Sequence, residues 1–237
     1  MGVSRNRSLQ LTLDDARRPI GLGGWRPGSG RPRGRTKVPH RQRHRFAARF
    51  PIHVTLRVMP DVPSLRRRGA LRIVQRAIEA GGHRPNFRVI HFVVVGNHLH
   101  LLVEATCMEA LARGMQGLEV RLARRLNRFF GRRGTFFAER YHSRILRTPR
   151  EVRNALRYVL LNYRQHEARR GETLTRDWID PFSSAYWFDG WRDPIQLREP
   201  RQRDLLNVPC PTAPATVWLM TTGWRRWGPL AFDDVRR

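Results

Sequence analysis

Residues 86–105, NFRVIHFVVVGNHLHLLVEA, hold two apolar runs that meet at a Gly-Asn pair. Two such runs joined by Gly96-Asn97 predict a tight antiparallel hairpin, with strands over 86–97 and 98–105. Successive side chains leave a strand on opposite faces. His98 and His100 therefore share one face, while Leu99 turns into the core. A lone hairpin is marginal in water, so this one needs more strands and a covering layer.

The flanking segments supply both. FPIHVTLRV (50–58) alternates and is rich in β-branched residues, which predicts a strand, and MPDVPS reads as a turn. Residues 64–80 place Leu65, Leu71, Val74 and Ile78 at helical spacing, and Gly81-Gly82 stops that helix. Residues 107–130 form a long amphipathic helix, with Leu111, Met115, Leu118, Leu122 and Leu126 on one stripe and arginines opposite. Residues 134–148 read as mostly extended. A helix then runs from Pro149 to about Arg170, with Thr148 as its cap and Pro149 in its first turn. The order β-α-β-β-α-β-α predicts an α+β fold of the ferredoxin-like, RRM-like kind. Its first and third strands are central in an antiparallel sheet, and an added helix follows.

Three regions result. Residues 1–49 are rich in Gly, Pro and Arg without apolar periodicity, and read as a disordered DNA-binding tail; an inert tail has the same composition. Residues 50–170 are the folded domain. Residues 171–237, with WIDPFSSAYWF and TTGWRRWGPLAF, read as an irregular extension with one short helix.

Charge narrows the partner. Lys and Arg number 46 against 19 Asp and Glu, a formal net charge of +27. Such a chain repels itself unless it meets a polyanion, and neutralising nucleic-acid phosphates releases condensed counterions. Lys37 is the single lysine, so a codon preference explains the choice of Arg over Lys but not the excess over acids. Cys107 and Cys210 are far apart and outside any CxxC, which disfavours a disulfide framework or a cysteine-built zinc site and fits a reducing cytoplasm. Neither a signal-peptide core nor a stretch near the ~18 apolar residues of a membrane span is present, so no membrane is expected.

Two pairs carry candidate chemistry. His98 and His100 on a rigid central strand are a bidentate site for a divalent ion; alone, a His-x-His pair equally describes ordinary surface or core histidines. Tyr158 and Asn162 stand four apart on a helix and share a face. Alone, Tyr158 also reads as a helix residue packed on the sheet.

Together these residues resemble a known family. GNHLHLLVE on one strand and ALRYVLLNYR on a helix some sixty residues later, in a basic β-α-β-β-α-β chain, are similar to the single-tyrosine HUH transposases. Among these, the REP-associated tyrosine transposases of bacteria are most alike. The His-hydrophobic-His motif is His98-Leu99-His100. The family's Tyr-Ile-x-x-Asn-Pro stands here as Tyr158-Val159-Leu160-Leu161-Asn162-Tyr163, departing at the last position. Val95-Gly96 replaces the usual Met-Pro before Asn97. FPIHVTLRV, RYHSRILRT and DPFSSAYWF also match, so the resemblance spans roughly residues 46–190.

The resemblance implies a nucleophilic Tyr158 and a divalent cation, Mg²⁺ or Mn²⁺, held by His98, His100 and the Asn162 side-chain oxygen. It implies single-stranded DNA bearing a hairpin as substrate, a monomer or homodimer as the active form, and a nucleoid-associated location. Arg121, Arg124, Arg125 and Arg128 are candidates for the hairpin phosphates, though a solvated helix face has the same pattern. Tyr141, beside His142, is the alternative nucleophile. Glu104, on the histidines' face, reads as a neighbour of the metal ligands or a surface salt bridge. Trp218, Trp224 and Trp227 read as base-stacking or core residues. Two rivals stand beside this reading: a ferredoxin-like domain that grips nucleic acid without cutting it, and a zinc-stabilised structural protein.

Overall fold

The computed structural model describes residues 45–172, 174–175, 178–195 and 209–234. Backbone contacts separate residues 1–41 from 42–237, and only the second unit falls within the described residues. The basic tail up to residue 44 lies outside them. Phe46, just upstream of the expected start, already packs against the core.

The expected α+β architecture is present. Strands β1 (Ile52–Arg57), β2 (His83–Arg84), β3 (Phe87–Val94), β4 (His98–Ala105) and β5 (His142–Ile145) form one antiparallel sheet in the order β2-β3-β4-β1-β5. The first and the His-x-His strands are central, and β2 is a two-residue addition at the edge. Leu99, Leu101 and Val103 of β4 and Ile52, Val54 and Leu56 of β1 are fully buried on one face. Each buried aliphatic side chain contributes about 1.5–3 kcal/mol. A slip of one residue would turn this set outward and drive His98, His100 and Glu104 into the apolar layer, so burial fixes the register that positions the site.

That apolar face is covered by α1 (Arg68–Glu79) and α2 (Met108–Phe129). Gly114 of α2 lies against Phe87, where a Cβ would sit 2.2 Å from the ring, so the close helix–sheet approach requires glycine there. Helix α1 starts four residues later than its periodicity suggests. The Leu65 amide donates to the Gly96 carbonyl at 2.8 Å instead of joining a helix, and this bond braces the β3–β4 turn. Gly96 does not take the positive φ of a primed hairpin turn.

The opposite face is covered by α3 (Pro149–Leu160) and by the C-terminal segment. Helix α3 opens with a full capping box. The Glu151 amide donates to Thr148 Oγ1 at 3.2 Å, and the Thr148 amide donates to Glu151 Oε2 at 3.2 Å. The single helix expected to Arg170 is interrupted at Leu161 (φ −107°, ψ 16°), after which α4 (Asn162–Arg169) continues. A short α5 (Trp218–Thr221) and a 3-10 turn (Gly223–Trp227) follow in the extension, whose Leu219, Trp224, Leu230 and Phe232 are buried with α3 and β3. Among the described residues no helix is long and apolar enough to cross a membrane.

Glu104 ties the extension down. It is 2 % exposed and accepts from the amides of Thr216 and Val217 (both 3.0 Å), from Thr216 Oγ1 (2.8 Å) and from Arg88 (3.1 Å). It is thus a buried clamp rather than a surface salt bridge, and its carboxylate is spent on the extension. Removing one partner of a buried charged pair costs roughly 3–5 kcal/mol. At ~2–4 °C per kcal/mol for a unit of this size, Glu104→Ala is expected to lower the melting temperature by roughly 10 °C. Calorimetry checks this, and a shift under ~2 °C would contradict the clamp.

Candidate active site

His98 and His100 leave the sheet on the face opposite the aliphatic layer, as the alternation requires. Their ring centroids are 4.6 Å apart at 85°. Across the ladder, β1 sets Thr55 opposite His100 and Arg57 opposite His98, with His53 one pleat further along. Helix α3 lies over this face and brings Tyr158 down onto the pair. The phenol oxygen is 3.2 Å from His100 Nε2, and the two rings are 4.9 Å apart. Tyr158 is 36 % exposed, so the side chain is open to solvent while its oxygen meets the histidine.

The hydrogen bonds define the rings' chemistry. Asn97 Oδ1, 2.7 Å from His98 Nδ1, can only accept; a neutral His98 therefore carries its proton on Nδ1 and keeps the Nε2 lone pair. His100 Nδ1 is 3.0 Å from Thr55 Oγ1 and 3.2 Å from His53 Nε2. With its proton on Nδ1, His100 donates to Thr55 and leaves Nε2 to accept from Tyr158. A lone pair serves one partner at a time, so His100 Nε2 either accepts this phenol proton or binds an ion.

Burial and mutual repulsion keep the cluster neutral. Desolvation first, then the neighbouring His53, His98 and His166, push His100 down to about 2. His53 falls to about 4 through burial and then His142 and Arg144. Burial, His166 and Arg57 lower His98. Unprotonated imidazole is the form that ligates a metal, so the ring donors are available at neutral pH.

Asn162 stands at the start of α4, 2 % exposed, and no hydrogen bond joins its side chain to His98, His100 or Tyr158. Its side-chain amide has no hydrogen-bond partner among the described residues, and none of the contacts at the histidine pair includes it. Two neutral imidazoles and an amide oxygen suit a divalent ion such as Mn²⁺. Among the described residues no group of three or more His, Cys, Asp or Glu side chains gathers around one point. Cys107 and Cys210 are free thiols.

The other sequence candidates fall elsewhere. Tyr141 is buried in the α1–α2 layer, across the sheet from the histidines. Arg121, Arg124, Arg125 and Arg128 lie on α2, which covers that same far face, and are not brought to Tyr158. Tyr163 packs beneath the Arg66 guanidinium, 4.0 Å from its ring centroid, and beside Trp178. Trp224 is buried in the core, whereas Trp218 and Trp227 are exposed. His53, Thr55 and His166 were missed. The alternation of FPIHVTLRV already sets 53 and 55 on one face between buried aliphatics, and that was the available signal. His166 is recognised only by its electrostatic reach to both site histidines.

His91, on the same sheet face, stacks edge-on against Phe188 (5.4 Å) with Nδ1 3.2 Å from Ser184 Oγ, and burial lowers it to about 4. Its unfolded value is near 6.5, so the unfolded chain takes up the proton first. The stability held by neutral His91 is complete above pH 6.5 and lost as pH falls towards 4. At pH 5 the expected loss is on the order of 2 kcal/mol. The melting temperature should therefore drop from pH 7.5 to 5, and His91→Asn should make the drop shallower by this share, the rest coming from His53 and His100; an equally steep drop in the variant would assign the share elsewhere.

The fold and site define an antiparallel α+β domain that presents a His-x-His pair on a central strand to a helix-borne tyrosine. No protein-family model and no curated relative matches the chain. Among solved structures, that of a REP-associated tyrosine transposase bound to a REP hairpin matches with a TM-score of 0.47 and 16 % identity, covering 75 % of this chain and 92 % of its own.

Proposed function

We propose that this protein is a metal-dependent single-strand DNA nuclease and transposase of the single-tyrosine HUH kind, with Tyr158 as its nucleophile. The observation that carries the reading is the Tyr158 oxygen 3.2 Å from His100 Nε2, on a face where His98 and His100 stand side by side. The excess of cationic residues matches a polyanionic substrate.

His98, His100 and the Asn162 oxygen would hold the cation. Bound there, it supplies Lewis-acid neutralisation of the charge that develops on the scissile phosphate. Tyr158 supplies the covalent step. Its oxygen forms a bond to phosphorus as the bond from phosphorus to the 3′-oxygen breaks; the phenol proton is lost and the 3′-oxygen gains one. The products are a 5′-phosphotyrosine and a free 3′-hydroxyl. One phosphoester replaces another, so a 3′-hydroxyl can later reverse the step and rejoin strands without ATP. The phenol must lose its proton as it attacks, and with His100 Nε2 given to the cation that proton passes to solvent or to another base rather than to this ring. A hairpin-bearing substrate follows from the family resemblance of the motifs.

The test incubates the protein with hairpin-bearing single-stranded DNA and Mn²⁺ or Mg²⁺, then looks for a denaturation-resistant protein–DNA adduct. The adduct is expected with metal and absent with EDTA. DNA binding without an adduct under any metal would replace this reading by that of a nucleic-acid binder.

A further inference from the structure

A cavity of about 410 Å³ opens beside Tyr158 and His53. Its size lies within the ~300–1,000 Å³ of ordinary ligand pockets. The structure suits one occupant well, and we propose that the cavity is a nucleotide subsite, holding and reading the single base that flanks the scissile phosphate. The inference rests on the nuclease reading for its place in the reaction, but its recognition chemistry stands apart from the cleavage step.

The walls divide by chemistry. Tyr158 and His53 form an aromatic side, with ring centroids 5.7 Å apart. Leu146, just past β5, and Ala155 of α3 add an apolar surface. A planar, largely apolar base face finds stacking and van der Waals partners there. Asn154 and Gln165 contribute two primary amides. Asn154 Oδ1 accepts from Arg157 at 3.5 Å, which leaves its NH₂ for a ligand. Gln165 is 7 % exposed and its amide has no hydrogen-bond partner among the described residues. Paired amide donors and acceptors are what read the edge of a base, and an unsatisfied polar group in a pocket penalises ligands that lack the match.

The rim is cationic. Arg144 is paired with Glu151 at 3.1 Å and Arg157 with Asp234 at 3.1 Å, which holds both guanidiniums in place. Arg169 at the mouth has no ion-pair partner among the described residues and stands exposed, ready for a phosphate oxygen. Aromatic wall, amides and arginines around one nucleophile match a base and its phosphate better than they match a free anion, which would leave the apolar wall and both amides unused.

The experiment measures binding of the four deoxynucleoside 5′-monophosphates, of deoxyribose 5-phosphate and of inorganic phosphate by calorimetry, in EDTA. At least one nucleotide is expected to bind about tenfold or more tighter than deoxyribose 5-phosphate, the effect of stacking and edge contacts on one base. Asn154→Ala and Gln165→Ala should shrink that advantage to below about threefold, while Arg169→Ala should weaken nucleotide and sugar phosphate alike. Asn154 is half-buried, so its variant keeps the test informative if Gln165→Ala melts. No base-dependent advantage in the wild type, or one that both variants retain, overturns the subsite. Because no cleavage is read, the two claims fail separately. A base-dependent site without an adduct sinks the nuclease alone; an adduct with base-indifferent binding sinks the subsite alone.

Discussion

Tyr158→Phe is expected to abolish the covalent adduct, lowering its formation by at least ~10³-fold, the scale on which enzymes lose rate with their nucleophile. The substitution removes one oxygen and little else. The ring keeps its place over His100, 4.9 Å away, and over His53. The phenol is partly exposed and its bond to His100 is the one hydrogen bond it makes among the described residues, so stability should change by well under ~1 kcal/mol. Tyr141→Phe is the matched control, since its hydroxyl lies in the opposite layer, and it should leave adduct formation within about twofold. Adduct formation by Tyr158→Phe at the wild-type rate would move the nucleophile elsewhere.

The second large effect is expected from His98→Ala. His98 is half-buried, its side-chain hydrogen bond runs to the neighbouring Asn97, and its Nε2 is unengaged among the described residues. Losing it should cost little stability but remove one of two imidazole ligands. Cleavage should fall at least ~10²-fold, and more Mn²⁺ should be needed to saturate it, since loss of even a supporting residue costs 10–100-fold. DNA affinity at fixed salt should stay within about twofold, because it is set by arginines distributed over the surface. His100→Ala is a poorer probe, since it also deprives Thr55, His53 and Tyr158 of a partner. Equal loss of binding and cleavage in His98→Ala would make the histidine a DNA contact rather than a ligand.

The strand-borne half of the site was legible because its signal is local. Alternation along HLHLLVEA sets His98 and His100 on one face, and buried Leu99, Leu101 and Val103 enforce it. The helix cap at Thr148 was equally local, while its reciprocal partner Glu151 came only with the structure. What escaped depends on distance along the chain. Glu104 read as a surface salt bridge or a metal neighbour because its strand face is that of the histidines. Its actual partners lie 112 and 113 residues away in a segment without periodicity. The extension reads as irregular because its fit is tertiary: Trp224 and Leu230 are buried by packing on α3, not by a repeating pattern. The interruption at Leu161 has no proline or glycine to announce it, so helical spacing put Asn162 squarely under Tyr158. The structure instead leaves Asn162 buried at the start of a second helix. His53 lay in plain view within an alternating strand, but the importance of that face emerges only once β1 is known to lie beside β4.

The account turns on one cation lying between the two imidazoles, within reach of the phenol. Crystals of the protein soaked in Mn²⁺ and recorded at the manganese absorption edge test it directly. The expected result is a single strong anomalous peak about 2.0–2.3 Å from a ring nitrogen of both His98 and His100, with Tyr158 on the same side of the sheet. A peak that touches neither ring, or none at millimolar Mn²⁺ with both rings ordered, would contradict it.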